Sequence, residues 1–343
     1  MSKAISRKKA PTQLDVATAA GVSRSLVSYV LNGTTTISIP DGTRQRILDA
    51  VDRLEYIPDR TARSLKLGKT YTIAGIIPDI TNPFYPAFVR GIQDVARSHN
   101  YSVITYNTDY RMDEETLFLE WVRQGLVDGV IGNLFHHDIE ALRPYVERGI
   151  AIVRMTAGPE AVPDLPIDCV YVDNHQAART AVNYLVQQGH WRIAMIAGQV
   201  SEIREQRVQG YREALAEHHL ALDEILMRGT DFTERGGYEA MQELLRSELL
   251  PSAVFAANDL LAIGAMRAIR EAGLTIPGDI ALVGLDDIPA ARLVNPALTT
   301  VTQFTEELGQ QAAQMLFERL NGTAPESGRN QEMRFELIVR DSA

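Results

Sequence analysis

The sequence predicts a small helical head followed by an α/β body that consists of two subdomains. Three observations support this fold class. Short helical patterns fill the region from Gln13 to Tyr56, strand and helix patterns alternate from Tyr71 onward, and the 343 residues exceed what one ordinary core accommodates. The hydrophobic fraction of 45% is that of a folded globular protein, so a disordered chain is excluded.

Charge divides the chain at the same place. Residues 1–70 contain twelve basic and six acidic side chains, a net charge of +6, whereas the rest carries −16 within an overall charge of −10. A basic head on an acidic body favours binding of a polyanion by the head. A solvated basic tail is the alternative, and it fits Lys3 to Lys9 better than the basic residues in the patterned sequence that follows.

The head has the pattern of a helix-turn-helix. Gln13–Ala20 and Arg24–Leu31 are predicted helices, Gly21 suits the turn between them, and the spacing of apolar residues predicts a third helix over Thr43–Glu55. A small core between the helices is expected from five residues: Val16, Ala20, Val22, Val27 and Val30.

The second helix then exposes Arg24, Ser25, Ser28 and Tyr29 on its outer face. A helix fits the major groove of DNA, where side chains near its N-terminus reach base edges. Arg24 is suited to a bidentate contact with guanine, the serines to bases or phosphates, and Tyr29 to a thymine methyl group or a phosphate. An ordinary solvated face on a three-helix domain remains the alternative from these residues alone.

The body is predicted to contain parallel sheets with helices on both faces, because strand-length apolar runs alternate with amphipathic helices. The runs are Thr72–Ile77, Ser102–Tyr106, Val130–Leu134, Ala151–Val153, Val170–Val172, Ile193–Ala197, Ala253–Ala256 and Ile280–Leu285. The helices between them include Ala87–Ser98, Gln176–Gln188, Arg207–Glu217 and Leu260–Glu271. About 270 residues of this pattern suggest two subdomains.

Enzyme motifs are absent from the sequence. Leu67-Gly68-Lys69-Thr70 resembles the end of a phosphate-binding loop, but Arg63 stands where that motif needs glycine. No dinucleotide fingerprint, nucleophile elbow or H-E-x-x-H occurs, and one cysteine, Cys169, offers no zinc-ligand set. We expect no enzymatic activity, no metal and no cofactor.

Longer motifs extend along nearly the whole chain in a fixed order. They are Asp15 to Gly33, Thr43-Arg44-Gln45-Arg46-Ile47, Tyr56-Ile57-Pro58, Ala62-Arg63-Ser64-Leu65, Pro78 to Tyr85, Asp128-Gly129-Val130, Gly189-His190, Gly210-Tyr211, Ala257-Asn258-Asp259, Val283-Gly284-Leu285-Asp286 and Pro296 to Thr300. The sequence thereby resembles the LacI/GalR family of bacterial transcription regulators.

The resemblance implies three segments with different roles. Residues 1–57 would form the DNA-binding domain, 58–70 a hinge helix and linker, and 71–343 an effector-binding and dimerisation domain resembling periplasmic binding proteins. Its first subdomain would cover about 71–172 and 301–331, its second about 173–300 and 332–343. The expected DNA contacts are Thr12, Ser23, Arg24, Ser25, Ser28, Tyr29, Asn32, Ala62 and Leu65. Leu65 matches the leucine that wedges into a base step of the operator, and Ala62 the small residue that lets paired hinge helices approach.

The resemblance also implies an effector site between the two subdomains. Its candidates are Phe84, Tyr85, Asn133, Asp173, Arg207, Phe232, Asn258 and Asp286. Aromatic rings cover apolar ligand faces while Asp, Asn and Arg bind hydroxyl groups, so a sugar or a sugar derivative is expected. A purine is the second candidate. Ser201 makes a purine less favourable, because a purine-type regulator of the family has Arg at this position. Thr156 stands where the family often has Asp.

The function expected from these residues is that of a cytoplasmic repressor. It would bind double-stranded operator DNA as a homodimer, under the control of a small-molecule effector, and without association with a membrane. Two alternatives stay open: a solute-binding protein, for which the chain lacks an export signal, and a DNA-binding protein that needs no ligand.

Overall fold

The computed structural model describes residues 11–31, 37–57, 68–156, 158, 164–199, 201–247 and 250–343. The chain divides into two compact units between Thr70 and Tyr71, and each unit is described by itself. The predicted hinge helix, with Ala62 and Leu65, and the predicted DNA contact Asn32 lie outside the described residues.

The N-terminal unit contains three helices: α1 (Gln13–Ala20), α2 (Arg24–Leu31) and α3 (Asp41–Arg53). The first two have the bounds predicted from the sequence, and the third begins and ends two residues earlier. Thr12 and Asp15 form a capping box that starts α1, and Gly21 ends it at a φ of 65°.

Four of the five predicted core residues of this unit, Val16, Ala20, Val27 and Val30, are buried, whereas Val22 is half-buried and packs against them. Val16, Val27 and Ile47 are fully buried. Helix α3 contributes Ile47 and Ala50 to this core, whereas its Leu48 is 38% exposed.

The C-terminal unit contains two six-stranded sheets. In spatial order the first sheet is β2 (Ser102–Asn107), β1 (Thr72–Ile77), β3 (Gly129–Gly132), β4 (Ala151–Thr156), β5 (Ile167–Val172) and β11 (Asn330–Met333). The second is β7 (Met227–Gly229), β6 (Ile193–Ala197), β8 (Ala253–Ala256), β9 (Ala281–Asp286), β10 (Thr299–Thr302) and β12 (Glu336–Ile338). The prediction of parallel sheets is confirmed, except that the edge strand β12 is antiparallel to β10.

Helices cover the faces of both sheets. They are α4 (Phe84–Ser98), α5 (Met112–Arg123), the short α6 (Arg143–Val146), α7 (Asn174–Gln187), α8 (Glu202–Glu217), α9 (Glu234–Leu245), α10 (Asp259–Glu271) and α11 (Thr305–Leu320). None of the described helices is long and apolar enough to cross a membrane.

The chain crosses between the two sheets more than once. Strand β10 of the second sheet ends at Thr302, after which α11 returns to pack on α4 of the first. The contact of these helices is close, because a Cβ at Gly91 would lie 2.1 Å from the carbonyl oxygen of Glu306 and one at Gly309 2.1 Å from that of Phe88. Strand β11 then joins the first sheet and β12 the second.

We therefore define the first lobe as residues 71–172 and 305–333, and the second lobe as 173–302 and 336–343. The predicted return at about 301 falls inside β10, and the predicted crossing at about 332 falls inside β11; both crossings come a few residues later. The second crossing is hard to place from the sequence because β11 pairs with β5, about 160 residues earlier in the chain.

Candidate functional site

A cavity lies where the carboxyl ends of the strands of both lobes meet. We call it the inner cavity. Its lining comes from nearly every strand end: Asn82, Phe84, Tyr85, Tyr110, Phe135, Met155, Thr156, Val172, Asn174, Ser201, Ile203, Arg207, Phe232, Asn258, Asp286, Gln303 and Leu308.

Strand order explains this position. In each sheet the first strand of the lobe lies between the second and the third, so the connections leave in opposite directions and open a crevice at the carboxyl ends. The segment after β1 supplies Phe84 and Tyr85, and α8, after β6, supplies Arg207. The two lobes thus present equivalent edges to one cavity.

Arg207 is the buried cation of the cavity, with 5% of its surface exposed. Its Nε donates to Asn174 Oδ1 at 2.8 Å, one terminal nitrogen donates to the carbonyl oxygen of Ala257, and the other lies 3.9 Å from Asp286 Oδ1. Burial lowers the pKa of Arg207, while the charge of Asp286 acts in the opposite direction. These partners hold the guanidinium in a fixed orientation.

Asp286 ends β9 and is 8% exposed. Burial raises its pKa to about 7, against the opposing effects of Arg207 and of a hydrogen bond from Gln303 Nε2 at 2.7 Å. Its φ of 122° and the φ of 53° at Asp287 are unusual for residues with a side chain. Such backbone conformations cluster at functional sites, where the surrounding structure maintains them.

A second carboxyl group lies close to Asp286. Asp259 is fully buried and accepts hydrogen bonds from the Thr300 hydroxyl at 2.5 Å and the Ile288 N–H at 2.8 Å. Burial, and next the negative charge of Asp286, raise its pKa to about 8. Near neutral pH the two carboxyl groups therefore do not both ionise fully.

The first lobe contributes aromatic rings. Phe84 and Tyr85 pack edge to face at 5.1 Å, and Tyr110 stacks on Phe135 with ring centroids 5.8 Å apart. Tyr85 and Tyr110 share a side-chain hydrogen bond, and burial raises the pKa of both phenols, that of Tyr110 to about 12. Both phenols are therefore uncharged at physiological pH.

A buried carboxylate fixes the segment that carries Phe135. Glu115 of α5 is fully buried and accepts hydrogen bonds from the N–H groups of Phe135 (3.2 Å) and His136 (3.1 Å). Its oxygens also lie 3.0 Å from Nδ1 of His136 and 3.1 Å from Nδ1 of His137. One side chain thus ties the backbone and both imidazoles to α5.

The free space in the inner cavity is small, about 50 Å³. A single water molecule needs only ~10–15 Å³ of such free volume, so this space admits a few water molecules between the side chains. Phe232 of the second lobe is one of these side chains: its ring lies against Gly198, where a Cβ would come within 2.0 Å of the ring.

Six of the eight predicted effector residues line the inner cavity: Phe84, Tyr85, Arg207, Phe232, Asn258 and Asp286. Asp173 does not line it, because it is the N-cap of α7 and accepts from the Gln176 N–H at 2.9 Å. Asn133 does not line it either; it is buried and donates from Nδ2 to the carbonyl oxygen of Met155 at 3.2 Å.

Several polar residues of the cavity were not predicted. They are Asn82, Tyr110, Asn174 and Gln303. Asn82 and Tyr110 follow β1 and β2. Their position just beyond a predicted strand could have identified them as cavity residues from the sequence. Asn174 is the direct neighbour of the predicted Asp173, and helix capping decides which of the two side chains reaches the cavity.

Four residues were predicted on the exposed face of α2. Arg24 and Ser25 are exposed, whereas Ser28 and Tyr29 are half-buried, so the prediction of full exposure is wrong for these two. Ser23 Oγ caps α2 by accepting from the Leu26 N–H at 3.2 Å. Arg24 Nε donates to Gln13 Oε1 at 3.2 Å, which links the first side chain of α2 to α1. Tyr29 packs partly on the small core.

Comparisons with known proteins agree with both units. Residues 12–59 match the family described as bacterial regulatory proteins, lacI family, and residues 182–343 match the periplasmic binding protein-like domain. The HTH-type transcriptional repressor CytR of Escherichia coli (strain K12) is 34% identical over 343 residues, which cover 99% of this chain and 98% of that protein. The chain belongs to the lacI family.

Other lacI-family proteins extend this comparison. Catabolite control protein A of Priestia megaterium is 34% identical over 90% of this chain and 92% of its own length. The Lac repressor bound to ONPG superposes with a TM-score of 0.86 at 27% identity over 98% of this chain and 100% of its own. A transcriptional regulator CelR–cellobiose complex superposes with a TM-score of 0.72 at 33% identity over 97% and 100%.

The resemblance stated from the sequence is thus confirmed, together with the helix-turn-helix head and the α/β body. The chain is a DNA-binding transcription regulator, and the relatives it matches are regulators rather than enzymes.

Proposed function

We propose that this chain is a repressor that binds operator DNA as a homodimer in the cytoplasm and changes its DNA affinity when a sugar occupies the inner cavity. The observation that carries the sugar assignment is the buried pair of Arg207 and Asp286 in the inner cavity. The same cavity is lined by an aromatic wall, which we define as Phe84, Tyr85, Tyr110 and Phe135. We assign DNA binding to residues 1–57, the hinge to 58–70, and effector binding and dimerisation to 71–343.

The polar groups of the cavity suit hydroxyl groups. Arg207 donates and ionised Asp286 accepts. Asn258 Oδ1 accepts from the Leu261 N–H, so its Nδ2 is the end that can donate to a ligand, and Gln303 Nε2 donates to Asp286, so its Oε1 is the end that can accept. A hydroxyl group donates and accepts at once, so it pairs with such a mixed set without adding a charge. A polyanion would meet Asp286 with Asp259 behind it, at an electrostatic cost that one arginine does not offset.

The aromatic wall suits the apolar face of a sugar ring, as in other buried ligand sites. It also suits a flat nucleobase, so a purine or nucleoside is the second candidate; stacked Tyr110 and Phe135 are the observation that favours it. Ser201 in the lining offers only a hydroxyl group, whereas a purine-type regulator shows Arg there.

The DNA-binding surface is assigned to Thr12, Ser23, Arg24, Ser25, Ser28 and Tyr29. The exposure of Arg24 and Ser25 at the start of α2 supports contact with base edges, and the capping roles of Thr12 and Ser23 favour contact with phosphates instead. The predicted contacts Asn32, Ala62 and Leu65 stay predictions.

The test is calorimetry of the full chain with sugars, polyols and nucleosides, followed by the variants Arg207→Ala and Asp286→Ala. Loss of a buried hydrogen bond to ligand is expected to weaken binding by roughly 1–3 kcal/mol in each variant. Arg235→Ala is the control, because the Arg235 side chain is 85% exposed and pairs only with Glu239 among the described contacts. Wild-type affinity in both cavity variants would place the effector elsewhere.

A further inference from the structure

The C-terminal unit begins at Tyr71, directly after the segment 58–70 that leads from the N-terminal unit. Gly68 and Lys69 are exposed, whereas Tyr71 is half-buried. Tyr71 has a φ of 54°, a left-handed conformation that is rare for a bulky side chain. Such a conformation persists where surrounding groups maintain it, and it clusters at positions that serve a function.

The backbone of Tyr71 is held from both sides of β1. Its N–H donates to Asp128 Oδ2 at 2.9 Å, and its carbonyl oxygen accepts from the Ser102 N–H at 2.9 Å. The Asp128 N–H in turn donates to the carbonyl oxygen of Thr72 at 2.8 Å. Asp128 immediately precedes β3 and Ser102 begins β2, so both strands that flank β1 take part.

Aromatic side chains add a second set of contacts at Tyr71. Its ring centroid lies 5.4 Å from that of Tyr101, which packs edge to face on Phe317 of α11 at 5.1 Å. Tyr101 also shares a side-chain hydrogen bond with Asp128; burial, and next the charge of that carboxylate, raise the pKa of Tyr101. The phenol is therefore protonated and donates to Asp128. One carboxylate thus joins the first residue of the C-terminal unit to a ring that contacts the buried Phe317.

We propose that Asp128 is a positioning residue for DNA binding: it fixes the point at which the segment 58–70 leaves the C-terminal unit, and thereby sets which spacing between two half-sites a dimer accepts. This inference rests on the proposed function, because it presumes that two copies of the chain bind one operator. It adds a residue that controls the geometry of binding and a property of the operator that this residue selects.

The dimensions of the chain and of the duplex make this control possible. Release of one residue lengthens the segment by up to about 3.3–3.6 Å, and two copies of the chain gain up to about 7 Å. Neighbouring nucleotides of one strand are about 3.4 Å apart along the duplex, so this added reach corresponds to about two base pairs. Linked binding units act together only where their linkers span both sites. A fixed start of the segment therefore limits the half-site spacings that both copies reach at once.

Support of the sheet alone does not account for this carboxylate. Strand β1 begins at Thr72, so the N–H of Tyr71 precedes the strand. Tyr71 is only half-buried, and water can serve as an acceptor at such a position. The half-buried Asp128 instead exchanges part of its hydration for hydrogen bonds from Tyr71 and Tyr101. The arrangement fixes a residue that lies outside the sheet.

The test is an anisotropy titration of the full chain with operator duplexes selected from random DNA, with one or two base pairs inserted between the half-sites. The readout is the ratio of the affinities for the original and the lengthened operator, because a uniform weakening does not change this ratio. Wild type should bind a lengthened operator at least about tenfold more weakly, since avidity is lost where linkers do not span both sites. In Asp128→Ala the loss should shrink to about threefold or less.

Two further variants separate the hydrogen bonds from other effects of the substitution. Asp128→Asn retains an oxygen that accepts from the Tyr71 N–H, so it should keep the wild-type ratio. Tyr101→Phe removes only the phenolic hydroxyl group and should fall between wild type and Asp128→Ala, which keeps the proposal testable where Asp128→Ala does not fold. Asp94→Ala is the control and should keep the wild-type ratio, because Asp94 pairs with Arg90 within α4 of the same lobe.

Sedimentation of each variant separates this proposal from the dimer that it presumes. A wild-type ratio in Asp128→Ala, whatever its overall affinity, would leave Asp128 a structural role alone and overturn the proposal. A fully relaxed ratio in Asp128→Asn would assign the effect to the charge and also overturn it, as would a wild-type dimer that binds all spacings equally. A wild-type chain that sediments as a monomer and binds a single half-site would contradict the proposed function itself.

Discussion

The two lobes of the effector domain share one strand order but differ in the charged groups that they present to the cleft. The first lobe contributes uncharged aromatic rings, among them Tyr85 and Tyr110, whose pKa values are raised by burial. The second contributes Arg207, Asp286 and, behind them, Asp259. The fold therefore determines where ligand-facing side chains lie, and the residues at the strand ends determine what the site can bind.

This difference also places two carboxyl groups whose pKa values lie near neutrality in the second lobe. Asp286 and Asp259 titrate near neutrality, whereas the phenols of the first lobe do not. Changes in the second lobe should alter stability and ligand binding in a pH-dependent way. Changes in the aromatic wall should alter affinity without altering its pH dependence.

The largest effect is expected from Arg207→Ala. The substitution removes the cation that pairs with Asp286 and that donates to Asn174 and to the carbonyl oxygen of Ala257. Removal of one partner of a buried charge pair lowers the unfolding free energy by about 3–5 kcal/mol. Urea unfolding of the full chain measures it, with the exposed Arg235→Ala as the control. Equal stability of the two variants would mean that the second lobe does not depend on its buried charge.

The second largest effect is expected in how the unfolding free energy depends on pH. The pKa of Asp259 in the folded chain, about 8, lies above its ordinary value of 3.8, so the folded state binds the proton more tightly. Unfolding free energy should then fall as pH rises from 5 to 8, by on the order of 2–4 kcal/mol. In Asp259→Asn, which mimics the protonated carboxyl group, this decrease should be smaller. A variant that loses stability as steeply as wild type over this range would assign the proton to another group.

Ligand binding should follow the ionisation of Asp286. Below its pKa of about 7 the protonated carboxyl group is a weaker acceptor for a ligand hydroxyl, so affinity should rise between pH 6 and 8, by at most about tenfold. Calorimetry at three pH values on wild type and Asp286→Asn checks this. The asparagine variant should bind weakly at all three; a tenfold rise that persists in it would exclude Asp286 as its source.

The smallest effect is expected in the first lobe. Tyr85→Phe removes the hydrogen bond to Tyr110 and should weaken ligand binding by about 0.5–1.5 kcal/mol, with the pH profile unchanged. Tyr238→Phe, whose hydroxyl group bonds to Glu271 at the surface, is the control. A changed pH profile in Tyr85→Phe would show that the two walls are electrostatically coupled.

Local signals in the sequence explain which parts of the fold are predicted well. The bounds of α1 and α2 are readable because Thr12, Gly21 and Ser23 are local start and stop signals. Strand β5 was predicted too short because Asp168 interrupts its apolar run. That carboxylate is fully buried and pairs with Arg319 and Arg329, about 150 residues later in the chain. No local pattern reveals such a partner.

The site divides in a similar way. Arg207 and Asp286 were predicted because they sit within recognisable motifs, whereas Gln303 enters the cavity through the fold of β10 and its connection to α11. Asp173 and Asn174 differ by one position, and only the capping geometry of α7 separates them. Prediction from sequence therefore identified the polar centre of the cavity better than its periphery.

The central claim is that the cavity controls DNA binding by the N-terminal unit, and an anisotropy titration tests it most directly. Operator duplexes selected from random DNA are titrated with wild type and Asp286→Asn, each with and without the sugar identified by calorimetry. We expect the sugar to change the operator affinity of wild type by about 5- to 150-fold, the usual range of such coupling. Asp286→Asn should bind operator normally and show little response to the sugar. Unchanged wild-type affinity at saturating sugar, or a full response in the variant, would contradict the account.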